Sequence, residues 1–181
     1  MPSRLAIVST AAVLSLLAAA PVLAGLGMGA PGKWDNLQVG LTYRLYHPTK
    51  TVGFKLRKLR TAPCGKGHDA WVEAFYGKYN GTLRSKRKGF ALYEGHPICA
   101  NPAESTRVGR PKIMGVKAYL GVYCGVPKKC RASQGVKNGF TLQWKARRSK
   151  PYKKNTWMQL DTSHLTKAKL LKIAKGLKKV R

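Results

Sequence analysis

The chain has 181 residues, 44% of them hydrophobic, and carries 35 Lys and Arg against 6 Asp and Glu, a formal charge of +29. A chain this basic repels itself and is drawn to anions, so basic partners are excluded and polyanionic surfaces are favoured: cell-wall polymers, anionic lipid head groups or nucleic acid. No internal repeat or low-complexity tract is present, which excludes a repeat array and leaves one domain with a real core.

Met1–Ala24 has the pattern of a secretory signal. Arg4 is its lone charge, an apolar run follows from Leu5 to Ala20, and Pro21-Val22-Leu23-Ala24 supplies small residues for cleavage after Ala24. The alternative is an uncleaved anchor, since apolar character persists to Met28; Pro21 and the small residues favour cleavage. Loss of the leader removes Arg4 and no acid, leaving 157 residues at +28 and a secreted or envelope location. The Gly- and Pro-rich stretch 25–33 is expected to be a flexible lead-in, with a single domain over 34–181.

Along that domain the dominant pattern is alternation with period two. Leu41–Tyr46, Trp71–Tyr76 and Gly89–Glu94 read as strands bounded by Gly, Pro or Asn. Ile113–Cys124 is longer and more apolar, and is expected to be a central strand. Phe140–Arg147 alternates most cleanly, with Phe140, Leu142, Trp144 and Ala146 on one face and a wet face opposite. Trp157–Leu160 reads as a short last strand, and the spacing describes an antiparallel meander. The chain then closes on a helix capped by Thr162 or Ser163, with Asp161 at its positive end and Leu170, Ile173, Ala174 and Leu177 as its apolar stripe. Lys169, Lys172, Lys175 and Lys179 fall opposite the stripe. The fold class is α+β.

Cys64, Cys99, Cys124 and Cys130 are an even number in an exported chain, which predicts two disulfides. Cys124 and Cys130 bracket the short loop Gly-Val-Pro-Lys-Lys and are expected to pair, leaving Cys64 with Cys99. In the chain-entropy description the longer loop contributes about 3 to 4 kcal/mol and the shorter about 2 kcal/mol. No Cys-x-x-Cys or His-x-His spacing is present, so no metal or cofactor is expected.

Leu45-Tyr46-His47-Pro48-Thr49, Gly53-Phe54-Lys55-Leu56, Tyr93-Glu94-Gly95, Met114-Gly115-Val116-Lys117-Ala118, Leu142-Gln143-Trp144 and the segment from Leu165 to Leu177 occur in an order that resembles a family of bacterial extracytoplasmic domains of unknown function. That family is found in envelope lipoproteins and in the C-terminal regions of anti-sigma factors. The resemblance implies a curved antiparallel sheet packed by a C-terminal amphipathic helix, and no enzymatic activity. The acid-free helix and the four cysteines depart from the family's pattern.

Basic clusters are the candidate sites for anionic polymers or surfaces: Lys55, Arg57, Lys58 and Arg60; Arg84, Lys86, Arg87 and Lys88; and Arg147, Arg148, Lys150, Lys153 and Lys154. Cations on such clusters neutralise phosphates or carboxylates and release counterions, so binding weakens with salt and is non-specific toward nucleic acid. The second cluster is expected at the tip of a hairpin, where it projects. Tyr76, Tyr79, Tyr93, Tyr119, Tyr152 and Trp157 interleave with the clusters, and their alternating positions favour core packing over stacking on bases or sugars. Catalysis would need a histidine beside a carboxylate, and only His68 with Glu73, His96 with Glu94, and His164 with Asp161 are near in sequence. The expectation is therefore a non-enzymatic, secreted polyanion-binding protein, with a small secreted nuclease or other polyanion hydrolase as the alternative.

Overall fold

The computed structural model describes residues 32–65, 69–82, 86–97, 105–124 and 129–181. The chain divides at Ala30–Pro31, and the leader and most of the lead-in lie outside the described residues. The domain opens with a short helix, α1 (Lys33–Gln38), whose first turn is closed by the Asp35 carboxylate accepting from Gly32 N at 2.8 Å. Buried Gln38 then accepts from Leu45 N and donates to Tyr43 O, which fixes the irregular segment that follows. Of the expected strand Leu41–Tyr46, only Tyr46 enters one, β1 (Tyr46–Pro48).

The centre is a seven-stranded antiparallel sheet built from β2 (Leu56–Ala62), β3 (Trp71–Gly77), β4 (Gly89–Gly95), β5 (Ser105–Gly109), β8 (Tyr119–Tyr123), β9 (Phe140–Ala146) and β10 (Thr156–Ser163). Between β5 and β8 stands a small hairpin, β6 (Lys112–Ile113) and β7 (Val116–Lys117). Spatial order is β2-β3-β4-β10-β9-β8-β5. This is not one meander: β2–β4 form one run, β8–β10 another, and the two join where β10 lies beside β4.

The alternation seen in the sequence does set the core face. Leu59, Ala74, Leu92, Leu160, Leu142 and Leu120 are successive cross-strand partners forming one apolar row. Phe140, Leu142, Trp144 and Ala146 are all buried on that side, as their spacing requires. Against the same cluster pack Leu170, Ile173, Ala174 and Leu177, so the expected stripe is core.

Its secondary structure differs from the expected single helix. α3 spans Lys167–Lys175 and is capped by Thr166, whose Oγ1 accepts from Lys169 N at 3.3 Å, not by Thr162 or Ser163. Those two residues and Asp161 continue β10, the middle strand of the sheet, which pairs as far as Ser163 with Gly89. His164, at φ 56°, then turns the chain into the helix. Beyond Gly176 the chain re-extends as β11 (Leu177–Lys179), antiparallel to β1, so Lys179 is a strand residue.

The expected long strand Ile113–Cys124 is broken at Met114 and Gly115, both at positive φ, which is the two-residue hairpin geometry of the β6–β7 turn. A short 3₁₀ turn (Ala132–Gln134) runs into α2 (Gly135–Asn138) before β9. Cys124 and Cys130 are joined as expected, with S–S 2.04 Å and Cα–Cα 6.0 Å. None of the described cysteines, Cys64 included, is free; Cys99 lies outside the described residues. The architecture is mostly antiparallel sheet with few helices, an α+β arrangement with a C-terminal helix.

Candidate polyanion-binding surface

The described basic groups lie outside the core. Every described Lys and Arg is exposed except Arg44 and Lys154, which are half-buried. Lys55, Arg57, Lys58 and Arg60 lie on or beside β2, an edge strand, where charged side chains also discourage pairing with another chain. A register shift between Leu56 and Lys58 places both Leu56 and Leu59 against the core, while Lys58 and Arg60 face the other side.

Lys86, Arg87 and Lys88 lie in the connection between β3 and β4, as a hairpin position requires; Arg84 is outside the described residues. Gly77 N donates to Lys55 O and Lys78 N to Lys88 O, so the backbone brings Lys55 and Lys88 to one end of the sheet. Arg147, Arg148, Lys150, Lys153 and Lys154 occupy the β9–β10 connection at the opposite end. The clusters therefore do not converge on one cleft. They are distributed, and β2 runs between them.

The described acids do little to neutralise this surface. Glu73 pairs with Arg60, and Asp69 with Lys154 at 3.2 Å and with the Thr42 hydroxyl. Burial pushes the Asp69 carboxyl up, but those two partners outweigh it and hold the group below its usual value. Asp35 is committed to α1. The remaining two, Glu94 and Asp161, are at most 4% exposed.

Glu94 sits on the core face between Val72 and Met158, and burial raises it well above the usual carboxylate range, opposed by Tyr46 N–H donating to Oε2 at 2.8 Å. Asp161 sits on the other face between Ala91 and Thr141. Burial raises it to about 6, opposed mainly by Gln159 Nε2 donating to Oδ2 at 2.8 Å. Neither carboxylate makes an ion pair among the described residues. Asp161 was expected at a helix terminus, where it would have been solvated. The central strand instead desolvates it.

The second sheet face is drier than the alternation suggested. Phe75, Tyr79, Ala91 and Tyr93 form a separate buried cluster with Trp71, and the turn carrying Gly81 approaches Phe75 and Tyr93 closely. Tyr76, Tyr79 and Tyr93 are buried, as core packing requires, and burial raises the phenols of all three. Trp157 alone of the expected aromatics is strongly exposed, at 41%, with Lys145 Nζ 5.2 Å from its ring centroid. Glu73, Tyr93, Gln159, Gln143 and Tyr119 form a polar and aromatic cross-strand row beside it. Sequence reading missed this row because its members belong to five different strands.

Of the histidines considered for catalysis, His68 lies outside the described residues and His96 Nδ1 is 2.8 Å from Asn155 O. Among the described residues no group of three or more His, Cys, Asp or Glu is arranged to hold a metal ion. Comparison of the chain with protein-family models, with curated proteins and with solved structures finds no match.

Proposed function

We propose that this protein is a non-enzymatic, exported domain that binds anionic polymers at the cell envelope through distributed Lys and Arg. The observation that carries this reading is the partition of charge. The described cations stand at the surface, while two of the five described acids are buried without an ion pair and two more are paired, so the positive surface is more uniform than the composition alone requires. A surface of that kind binds by counterion release and with little selectivity. A second disulfide, Cys64–Cys99, completes the proposal, and peptide mapping without reductant tests it: a Cys64–Cys124 link would overturn the pairing.

The test of function is retention on heparin, DNA and a teichoic-type polymer as salt is raised. Six or more neutralised charges predict a loss of about 10³-fold or more in affinity between about 50 and about 200 mM salt. Combined loss of Arg84, Lys86, Arg87 and Lys88 is expected to weaken binding more than loss of any other four charges, on the expectation that a hairpin connection reaches a polymer more readily than a flat face. Salt-insensitive binding to a neutral sugar would refute the reading. Cleavage of the polymer would establish the hydrolase alternative.

A further inference from the structure

A groove of about 450 Å³ lies along α3 and its C-terminal end, lined by Lys50, Ala168, Leu171, Lys172, Lys175 and Gly176. Three of the six lining residues are lysines and none is acidic. Lys172 and Lys175 are one turn apart, on the same side of the helix, with Cβ atoms about 5 to 6 Å from each other. The third lysine comes from a different part of the chain and is held there. Thr49 donates to Gly176 O twice, from its N–H at 2.9 Å and its hydroxyl at 2.6 Å, which fastens the segment carrying Lys50 to the end of the helix.

The stem of Lys50 then crosses Gly176. A Cβ at position 176 would stand 2.9 Å from Lys50 Cβ and 2.8 Å from its Cγ, so only glycine leaves room for this course. Gly176 has φ −90° and ψ 7°, a conformation open to any residue, so the glycine is required for space and not for its backbone.

We infer that this groove is a subsite for a phosphate monoester, resting on the polyanion-binding reading above. Lysine binds phosphate as a point charge, and three ammonium groups match the three terminal oxygens of a monoester. The helix end opposes an anion with only about −0.5 elementary charge, against three full positive charges. Leu171 and Ala168 offer the carbon skeleton an apolar wall.

Calorimetric titration of the full chain with glycerol 3-phosphate at low salt reads the subsite, and elution from immobilised heparin reads the surface as a whole. Gly176→Ala keeps every charge but displaces Lys50, and is expected to weaken glycerol 3-phosphate binding by about tenfold or more while leaving heparin elution unchanged. The Lys172→Gln, Lys175→Gln pair is expected to produce a comparable loss, and keeps the test decisive if Gly176→Ala alters the melting curve. Undiminished glycerol 3-phosphate binding in the variants, or none in the native chain, overturns the subsite and leaves the polyanion reading standing. Failure of the native chain to bind heparin overturns that reading by itself. Co-sedimentation with phosphatidylcholine vesicles containing phosphatidic acid separates the sources: dependence on Gly176 assigns the phosphate to a lipid, and independence alongside Gly176-dependent glycerol 3-phosphate binding assigns it to a soluble or polymer-borne ester.

Discussion

Asp161→Asn is expected to stabilise this protein at neutral pH and to leave it unchanged in acid. Asp161 is 4% exposed in the middle strand of the sheet, and burial raises its carboxyl from 3.8 to about 6. A carboxyl raised on folding holds a proton in the native state that the unfolded chain has already released. Its contribution is therefore fully favourable below the unfolded value near 4 and is lost as pH rises through about 6. Two pH units correspond to about 3 kcal/mol at about 1.4 kcal/mol per unit. Asparagine retains the shape and can accept the Gln159 hydrogen bond through its Oδ1. Urea unfolding of both proteins from pH 3.5 to 8 would then show curves that coincide in acid, separate progressively between about pH 4 and about pH 6, and run parallel above that with the variant more stable by about 3 kcal/mol. Glu94 is raised by burial in the same direction, but it is present in both chains and does not affect the difference. A variant that is less stable at pH 8, or a difference that does not change with pH, would refute the argument that the desolvation of Asp161 outweighs its hydrogen bonds.

Leu170→Asp, at a fully buried position of α3, is expected to cost several kcal/mol in a thermal melt because it places an unpaired carboxylate in the apolar cluster. Lys172→Asp on the exposed side should change stability little, and an unchanged melt for Leu170→Asp would remove the helix from the core. Gly135→Ala brings a methyl group to about 2.1 Å from the Phe140 ring, and forced overpacking of this kind costs about 1 to 3 kcal/mol in denaturant unfolding. A stability equal to that of the native chain would show that Phe140 is free to move.

Sequence alone determined the chain's basic character, the cross-strand apolar face and the short disulfide. Phe140, Leu142, Trp144 and Ala146 are on the core side because alternation is a local property of an extended chain, and Leu170, Ile173 and Ala174 are buried because their spacing suits one side of a helix. Cys124 and Cys130 are close enough along the chain to meet without knowledge of the fold. The tertiary structure decided what depends on partners distant in sequence. β2 escaped notice because its bulge sets Leu56 and Leu59 three residues apart, and a bulge is a feature of pairing with β3. Thr162 and Ser163 look like helix caps in isolation, but pairing with β4 draws them and Asp161 into the central strand and moves the cap to Thr166. The helix stripe continues through Leu177, yet pairing of Leu177–Lys179 with β1 ends the helix at Lys175. The groove beside Gly176 depends on Lys50, 126 residues away in the chain, and no local pattern signals it. Local spacing fixes which side of an element is apolar, whereas strand pairing over long separations fixes which charges are buried, which are paired and which are left facing solvent.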